Sequence, residues 1–332
     1  MKSAVAPAKS KSKQSGNLKI PAFQAHPSRT ELAAMGKALR DKCPRISHAE
    51  WKPPKDRPDP LRLIELSDQG RIPELMPLRH GRMLQSPFTF YRGAALNMAV
   101  DLASMPTTDI RVQCCGDAHL VNFRGFATPE RRVQFDIHDL DETLPAPWEW
   151  DLKRLAASFV IACRDNGLGD VVGEDAARAC ARSYREHMVE YGKMRVLDVW
   201  YDRLDVEDLL TKVQDEESRR RAKKRLQKER ERSALEHDFP ELAHKVGGKP
   251  TIKDNRPTIY HSRKEEEGYA SDAVVRESFA QYRESLRPSV RALLDHFEFE
   301  DWALKVVGVG SVGTLCAVLL LMADDKDPLF LQ

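Results

Sequence analysis

The sequence predicts an α+β protein, largely helical with short strands, and three observations carry that prediction. Apolar residues recur at helical spacing from Ala94 to Leu102 and from Leu152 to Cys163. The period changes to two at Val112 and Cys114 and again at Val133, Phe135 and Ile137. An uncharged stretch over 306–323 is diluted in its first half by Gly308, Gly310 and Gly313, which reads as two strands joined by a glycine loop and not as a membrane span.

The elements follow in order. The start, residues 1–25, is basic, rich in Ser and Ala and without an apolar run, so it reads as a disordered tail and not as a signal peptide. "SRTELAAMGKALRDKC" predicts a helix capped by Ser28 or Thr30, and "WKPPKDRPDP" a proline-punctuated linker. The helix through Ala94, Leu96, Met98, Ala99 and Leu102 ends before Pro106. The one that follows is expected to turn Leu152, Leu155, Ala156, Phe159, Val160 and Cys163 toward the core, with Asp151 as its N-cap and Gly167 suited to its end.

Charge narrows the function classes. Lys and Arg number 53 against 51 acids, a formal charge of +2, so the whole chain has no strong pull toward nucleic acid or an anionic membrane. The exception is local: "SRRRAKKRLQKERER", residues 218–232 within a basic helical segment at about 206–235, holds nine basic residues and two acidic ones. It reads as a long solvated helix with i,i+4 pairs, or else as a site for nucleic acid or an acidic partner, although no aromatic residue interleaves it. The six cysteines lack a C-x-x-C pair, and with no secretory segment they read as reduced, mostly buried thiols of a cytoplasmic protein.

"CCGDAHLVNF", residues 114–123, sets Asp117, His119 and Asn122 directly after a strand. An acid there can accept a proton from an attacking hydroxyl, and an amide oxygen five residues later can bind magnesium. A second acid is needed to hold the metal, and "FDIHDLDE" offers it: Asp136, Asp139 and Asp141 alternate there, and an acid at the strand's end can face the same cleft as Asn122. Taken singly, Asp117 could cap a turn, Asn122 could hold a left-handed backbone position and His119 could be a hydrogen-bonded core residue; their joint spacing favours chemistry. Zinc is not expected, since His119, His138 and the Cys114/Cys115 pair lack its ligand spacings. Gly308, Gly310 and Gly313, with Ser311 between them, form G-x-G-x-x-G in a strand–loop–strand context, which points to ATP phosphates and away from a dinucleotide. Arg82 and Arg92 could each pair with a phosphate or with a cleft acid, and Arg92 is retained as the candidate.

These motifs carry a resemblance. "GDAHLVNF" looks like the catalytic loop of aminoglycoside-phosphotransferase-like and protein-kinase-like enzymes, and "DLDE" with "WDLKRLAASF" resembles their metal-acid strand and succeeding helix. More closely, "RMLQSPFTFYRGAA", "CCGDAHLVNF", "FDIHDLDETLPAPWEWDLKRLAAS", "KVVGVGSVGT" and "DPLFLQ" resemble the bacterial family called domain of unknown function 2252. The family has asparagine where this chain has His138.

The resemblance implies a kinase-like catalytic lobe over 26–300 and a partial glycine-loop β lobe over 301–332, in circularly permuted order. It also implies Asp117 as the proton-accepting acid, His119 near the transferred phosphate, Asn122 and Asp139 on Mg2+, and ATP as cofactor. The family continues beyond "LFLQ" to a phosphate-binding lysine, so these 332 residues are expected to bind nucleotide weakly and turn over poorly. The expected function is an ATP- and Mg-dependent phosphotransferase of unspecified acceptor. The alternatives are a non-catalytic nucleotide-binding or protein-interaction module, and a nucleic-acid-associated protein acting through the basic helix.

Overall fold

A computed structural model describes residues 26–128, 130, 132–231, 238–261, 271–324 and 327–332, so the tail and the end of the basic segment lie outside the described residues. The first helix, α1 (Arg29–Lys42), starts where the sequence predicts. Ser28 Oγ accepts from the Glu31 backbone N–H, and the Glu31 carboxylate accepts from that of Ser28, a reciprocal cap. Next, α2 (Pro60–Asp68) begins on an Asp59 cap with proline at its first position. Then α3 (Met76–Met83), α4 (Pro87–Gly93) and α5 (Ala95–Ala103) follow in close succession.

Four short strands come next. The outer pair, β1 (Arg111–Cys114) and β4 (Leu144–Pro147), is antiparallel and encloses a hairpin of β2 (Phe123–Ala127) and β3 (Val133–Ile137). Sequence periodicity finds β1 and β3 but misses β2, whose "FRGFA" carries charge and glycine and is mostly exposed. Its pairing with β3, not burial, makes it a strand.

The long helices α6 (Glu149–Asp165) and α7 (Asp170–Tyr191) pack together, and a Cβ at Gly173 would lie 3.0 Å from Val160 Cα, so glycine permits the close approach. The α6 expectation needs correction. Its deepest residues are Glu149, Arg154, Ser158, Ala162 and Cys163, while Leu152, Leu155, Ala156, Phe159 and Val160 are only half-buried. Asp151 is not its N-cap: Trp148 holds that position, and Asp151 sits inside the first turn with its carboxylate turned to the β1 end.

Beyond them, α8 (Val196–Tyr201), α9 (Val206–Lys212) and α10 (Glu216–Glu231) precede α11 (Phe239–Leu242) and a hairpin of β5 (Ala243–Val246) and β6 (Lys249–Ile252). On α10, Arg219 and Arg221 pair with Glu216 and Glu217 of the same helix, which neutralises part of the local charge. After β7 (Ile259–Tyr260) come α12 (Asp272–Ser285), α13 (Pro288–Leu294), β8 (Glu298–Lys305), β9 (Ala317–Met322) and β10 (Pro328–Leu331).

β7 to β10 form one antiparallel sheet in the order β10-β9-β8-β7. The segment 306–323 is therefore loop followed by strand, and among the described residues no helix is long and apolar enough to cross a membrane. The sheet shares its core (Ala303, Val318, Leu320, Met322) with Ala243 and Ile252 of the β5–β6 hairpin. Elements before and after residue 300 thus share this core, with β7 at the sheet edge beside β8. A second cluster, Ile72, Leu75, Tyr260, Leu304, Val306 and Val312, ties the sheet to the segment before α3. All six cysteines are unpaired, with Cys43, Cys114, Cys115 and Cys163 buried.

Candidate active site

The site is built where β1 ends. Gly116 turns the chain with φ 80°, and a Cβ there would lie 2.0 Å from the Glu142 carbonyl oxygen, so only glycine fits. The turn is pinned to α6: the backbone N–H groups of Cys115 and Gly116 donate to the Asp151 carboxylate at 2.7 and 3.0 Å. Burial, reinforced by that carboxylate, pushes the Cys114 thiol up to about 11 and that of Cys115 to about 12, so both stay protonated and neither is an activated nucleophile.

Past the turn, the loop closes on itself. The Asp117 carbonyl accepts from the His119 N–H at 2.8 Å, and Leu120 N–H donates to Ser158 Oγ of α6 at 2.9 Å. Asn122, 4% exposed, joins both halves of the motif: its Nδ2 donates to the carbonyls of Asp117 (3.1 Å) and Asp139 (3.0 Å), and its Oδ1 accepts from the Asp139 N–H (2.9 Å). The amide therefore fixes the Asp117 loop to the acidic segment, and one Oδ1 lone pair remains that could accept a cation. Asn122 does not occupy the left-handed region, where Asp109 (φ 58°) is the only non-glycine residue among those described.

Asp117 is gripped by Arg154, which is 2% exposed. Its Nε donates to Asp117 Oδ1 at 2.9 Å, its Nη2 reaches the same oxygen, and Nη2 also donates to the Tyr91 carbonyl at 3.0 Å. Burial raises the Asp117 carboxyl to about 6 against the opposing pull of Arg154. Oδ2 is left on the side of His119, whose Nε2 lies 3.4 Å away. Burial first, then the charges of Arg154 and Arg92, lower His119 to about 4, so at neutral pH it is an uncharged imidazole and the contact is no ion pair. His119 Nδ1 is buried without a hydrogen-bond partner, which a satisfied core histidine would not leave.

These groups open onto a cleft of about 530 Å³. Asp117, His119, Asn122, Asp139 and Asp141 line it together with Arg92 and the glycine-loop residues Gly308, Gly310 and Ser311. Among the described residues, two predicted positions fall outside this lining. Asp136, opposite Arg124 on the β2–β3 hairpin, is exposed and its carboxylate accepts from the Ile137 N–H. Gly313 (φ 88°) instead anchors the loop's base, its carbonyl accepting from Ile72 N–H at 2.8 Å. Gly310 brings the loop against the backbone of α4, since a Cβ there would sit 3.0 Å from the Arg92 carbonyl oxygen. Arg82 donates to the Gly308 carbonyl at 2.8 Å and so positions the loop.

Among the described residues no group of three or more His, Cys, Asp or Glu side chains is arranged to hold a metal ion. Magnesium makes a smaller demand: one or two carboxylates suffice when substrate phosphates and water complete the octahedron. Asp139 and Asp141 suit that role, being exposed on the cleft wall and carrying no ion pair among the described residues.

Sequence reasoning misses Arg154, Ser158, Arg79 and Arg124. Arg154 and Ser158 were legible as a polar i,i+4 pair interrupting the apolar run "KRLAAS", a pattern that costs free energy unless each polar group meets a partner. Arg79, 1% exposed, bonds Asp68 and the Gly93 carbonyl and thereby holds the α4 end that supports the loop. No motif marks it.

No curated protein and no solved structure matches the chain. A family model described as "Uncharacterized protein conserved in bacteria (DUF2252)" matches residues 71–332, a span that contains every cleft residue named above. The chain belongs to this bacterial family of uncharacterized proteins, DUF2252.

Proposed function

We propose that the chain is a kinase-like phosphotransferase that uses ATP and Mg2+. The observation that carries the reading is Asn122: a single buried amide bonds the backbone of both Asp117 and Asp139 at the floor of a cleft whose other wall is a glycine loop. A base, an amide and a metal acid held in common register, with a backbone loop across from them, is the part list of phosphoryl transfer.

Asp117 is the base. Arg154 occupies Oδ1, so the proton of an acceptor hydroxyl goes to Oδ2, and a carboxyl near 6 is ionised yet proton-receptive at neutral pH. Neutral His119 contributes a donor beside that oxygen without a competing charge. Asp139, with Asn122 Oδ1 and Asp141 beside it, would hold Mg2+, which when bound offsets phosphate charge. Gly308, Gly310 and Ser311 lie where backbone can approach the phosphates closely, and Arg92 adds a cation below them.

The test is phosphate transfer from MgATP, followed by loss of ATP in the presence of candidate alcohols, sugars and amines. Asp117→Asn should lower the rate about 100-fold or more, the usual span of a general base. Asp139→Ala should abolish the Mg2+ dependence of nucleotide binding. The wild-type rate should rise with pH to a plateau, with its midpoint near 6 as Asp117 loses its proton. Magnesium-dependent nucleotide binding without any transfer would make the protein a non-catalytic nucleotide-binding module instead.

A further inference from the structure

The arginines of the cleft region fall into two groups. Arg71 gives its guanidinium to the carbonyls of Ser67 and Val312, both at 2.8 Å; Arg79 pairs with Asp68 at 2.6 Å, and Arg154 with Asp117. Arg82 is used on the Gly308 carbonyl. Arg92 and Arg124 differ. Neither has an ion pair among the described residues, Arg92 Nε is buried with no hydrogen-bond partner, and Arg124 spends only its Nε, on the Val121 carbonyl at 3.0 Å. Both line the cleft beside His119, Arg92 half-buried and Arg124 exposed on β2.

Their charges act on one another. Arg92 is held below its ordinary value by burial and then by Arg124, with the charge of Asp117 acting the other way, and both arginines also depress His119. A half-buried cation with a second cation as its neighbour is unfavourable until an anion joins them. Two planar forks carrying two charges suit a doubly charged phosphoryl oxyanion.

We propose that Arg92 and Arg124 form a clamp for a phosphoryl group, set between the glycine loop and His119. The ligand's identity rests on the phosphotransferase reading; the anion site itself rests on the two unpaired guanidiniums. The phosphoryl group can belong to the nucleotide or to a phosphorylated acceptor, and the two sources separate experimentally.

Calorimetric titration of the full chain with inorganic pyrophosphate, MgATP and adenosine tests the clamp. Wild type should bind pyrophosphate with an affinity that falls as salt rises, and Arg92→Gln and Arg124→Gln should each weaken it about tenfold, the scale of one charge-assisted contact. A parallel loss for MgATP, with adenosine unaffected, assigns the clamp to the nucleotide's phosphates. MgATP affinity left intact while pyrophosphate affinity falls assigns it to the acceptor's phosphate. The melting temperature of Arg92→Gln should be equal to or above wild type, because an uncompensated cation is removed, and Arg92→Lys should recover part of the pyrophosphate affinity.

Absence of pyrophosphate binding at millimolar concentration overturns the clamp, as does wild-type affinity in the double Gln variant. A lower melting temperature for Arg92→Gln with unchanged pyrophosphate binding also overturns it. Arginine-dependent pyrophosphate binding in a protein that transfers no phosphate would sink the phosphotransferase reading and leave the clamp standing. Transfer that depends on Asp117 but not on either arginine would do the reverse.

Discussion

Around Asp117 the deeply buried side chains include the polar Arg79, Arg154 and Ser158, whereas the sheet of β7 to β10 buries Ala303, Val318, Leu320 and Leu321 almost completely. The first region is held by directional bonds among groups that dislike leaving water, the second by apolar contact. Buried ion pairs contribute little net stability, because desolvation consumes most of the attraction, but they permit few geometries. Apolar packing stabilises more and specifies side-chain chemistry less. The region around Asp117 therefore gives up stability for position, and the sheet supplies the scaffold that tolerates it.

The largest effect is expected from breaking the polar half. Arg154→Leu should cost on the order of 3–5 kcal/mol in denaturant unfolding, the range for removing one partner of a buried pair. Without the guanidinium, the Asp117 carboxyl should rise further above its present value near 6 and take up a proton. Since the folded state then binds the proton more tightly than the unfolded chain, the deficit should grow as pH rises from about 5 to 8. A deficit independent of pH would show that the pair is not what holds this region.

Leu320→Ala, in the sheet, should cost about 3 kcal/mol through lost burial and the cavity left behind, and should do so equally at pH 5 and pH 8. That flat response is the control that separates the two kinds of region. A pH-dependent loss at Leu320 would remove the distinction.

The smallest effect belongs to a charged lock beside the sheet. His261 donates to Asp301 at 3.0 Å and contacts Asp254 at 2.8 Å, and these partners raise it to about 9 against burial. Because the folded value exceeds the unfolded one, its stabilisation is complete below about 6.5 and lost as pH climbs through 9. Wild type should show a modest fall in melting temperature over that window, and His261→Gln should remove the slope. An unchanged slope in the variant would assign it to other groups.

Legibility in the sequence follows the same division. The capped α1, the glycine loop with β9 after it, and the gathering of Asp117, His119, Asn122 and Asp139 were all accessible, because caps, alternation and short-range spacing are local properties. The core face of α6 was not. Its apolar stripe is only half-buried, since the strongest demand on that helix comes from the loop it must hold through Arg154 and Ser158. Asp151 looked like a cap for the same reason: an acid in the first turn of a helix satisfies the helix or a neighbour, and only the neighbour's position decides.

By itself the sequence determined the mixed helical and strand composition, the capped start of α1 and the short spacing from Asp117 to Asn122, all of which depend on backbone sterics and contacts within a few residues. Only the tertiary structure decided that Arg154 takes Asp117 Oδ1, that Asp139 and Asp141 line the cleft and Asp136 does not, and that Arg92 and Arg124 both line it with no ion pair among the described residues. The physical reason is that a charge in a chain can pair with any opposite charge. Which pair forms depends on burial and on distances between elements far apart in sequence, and no local pattern encodes them.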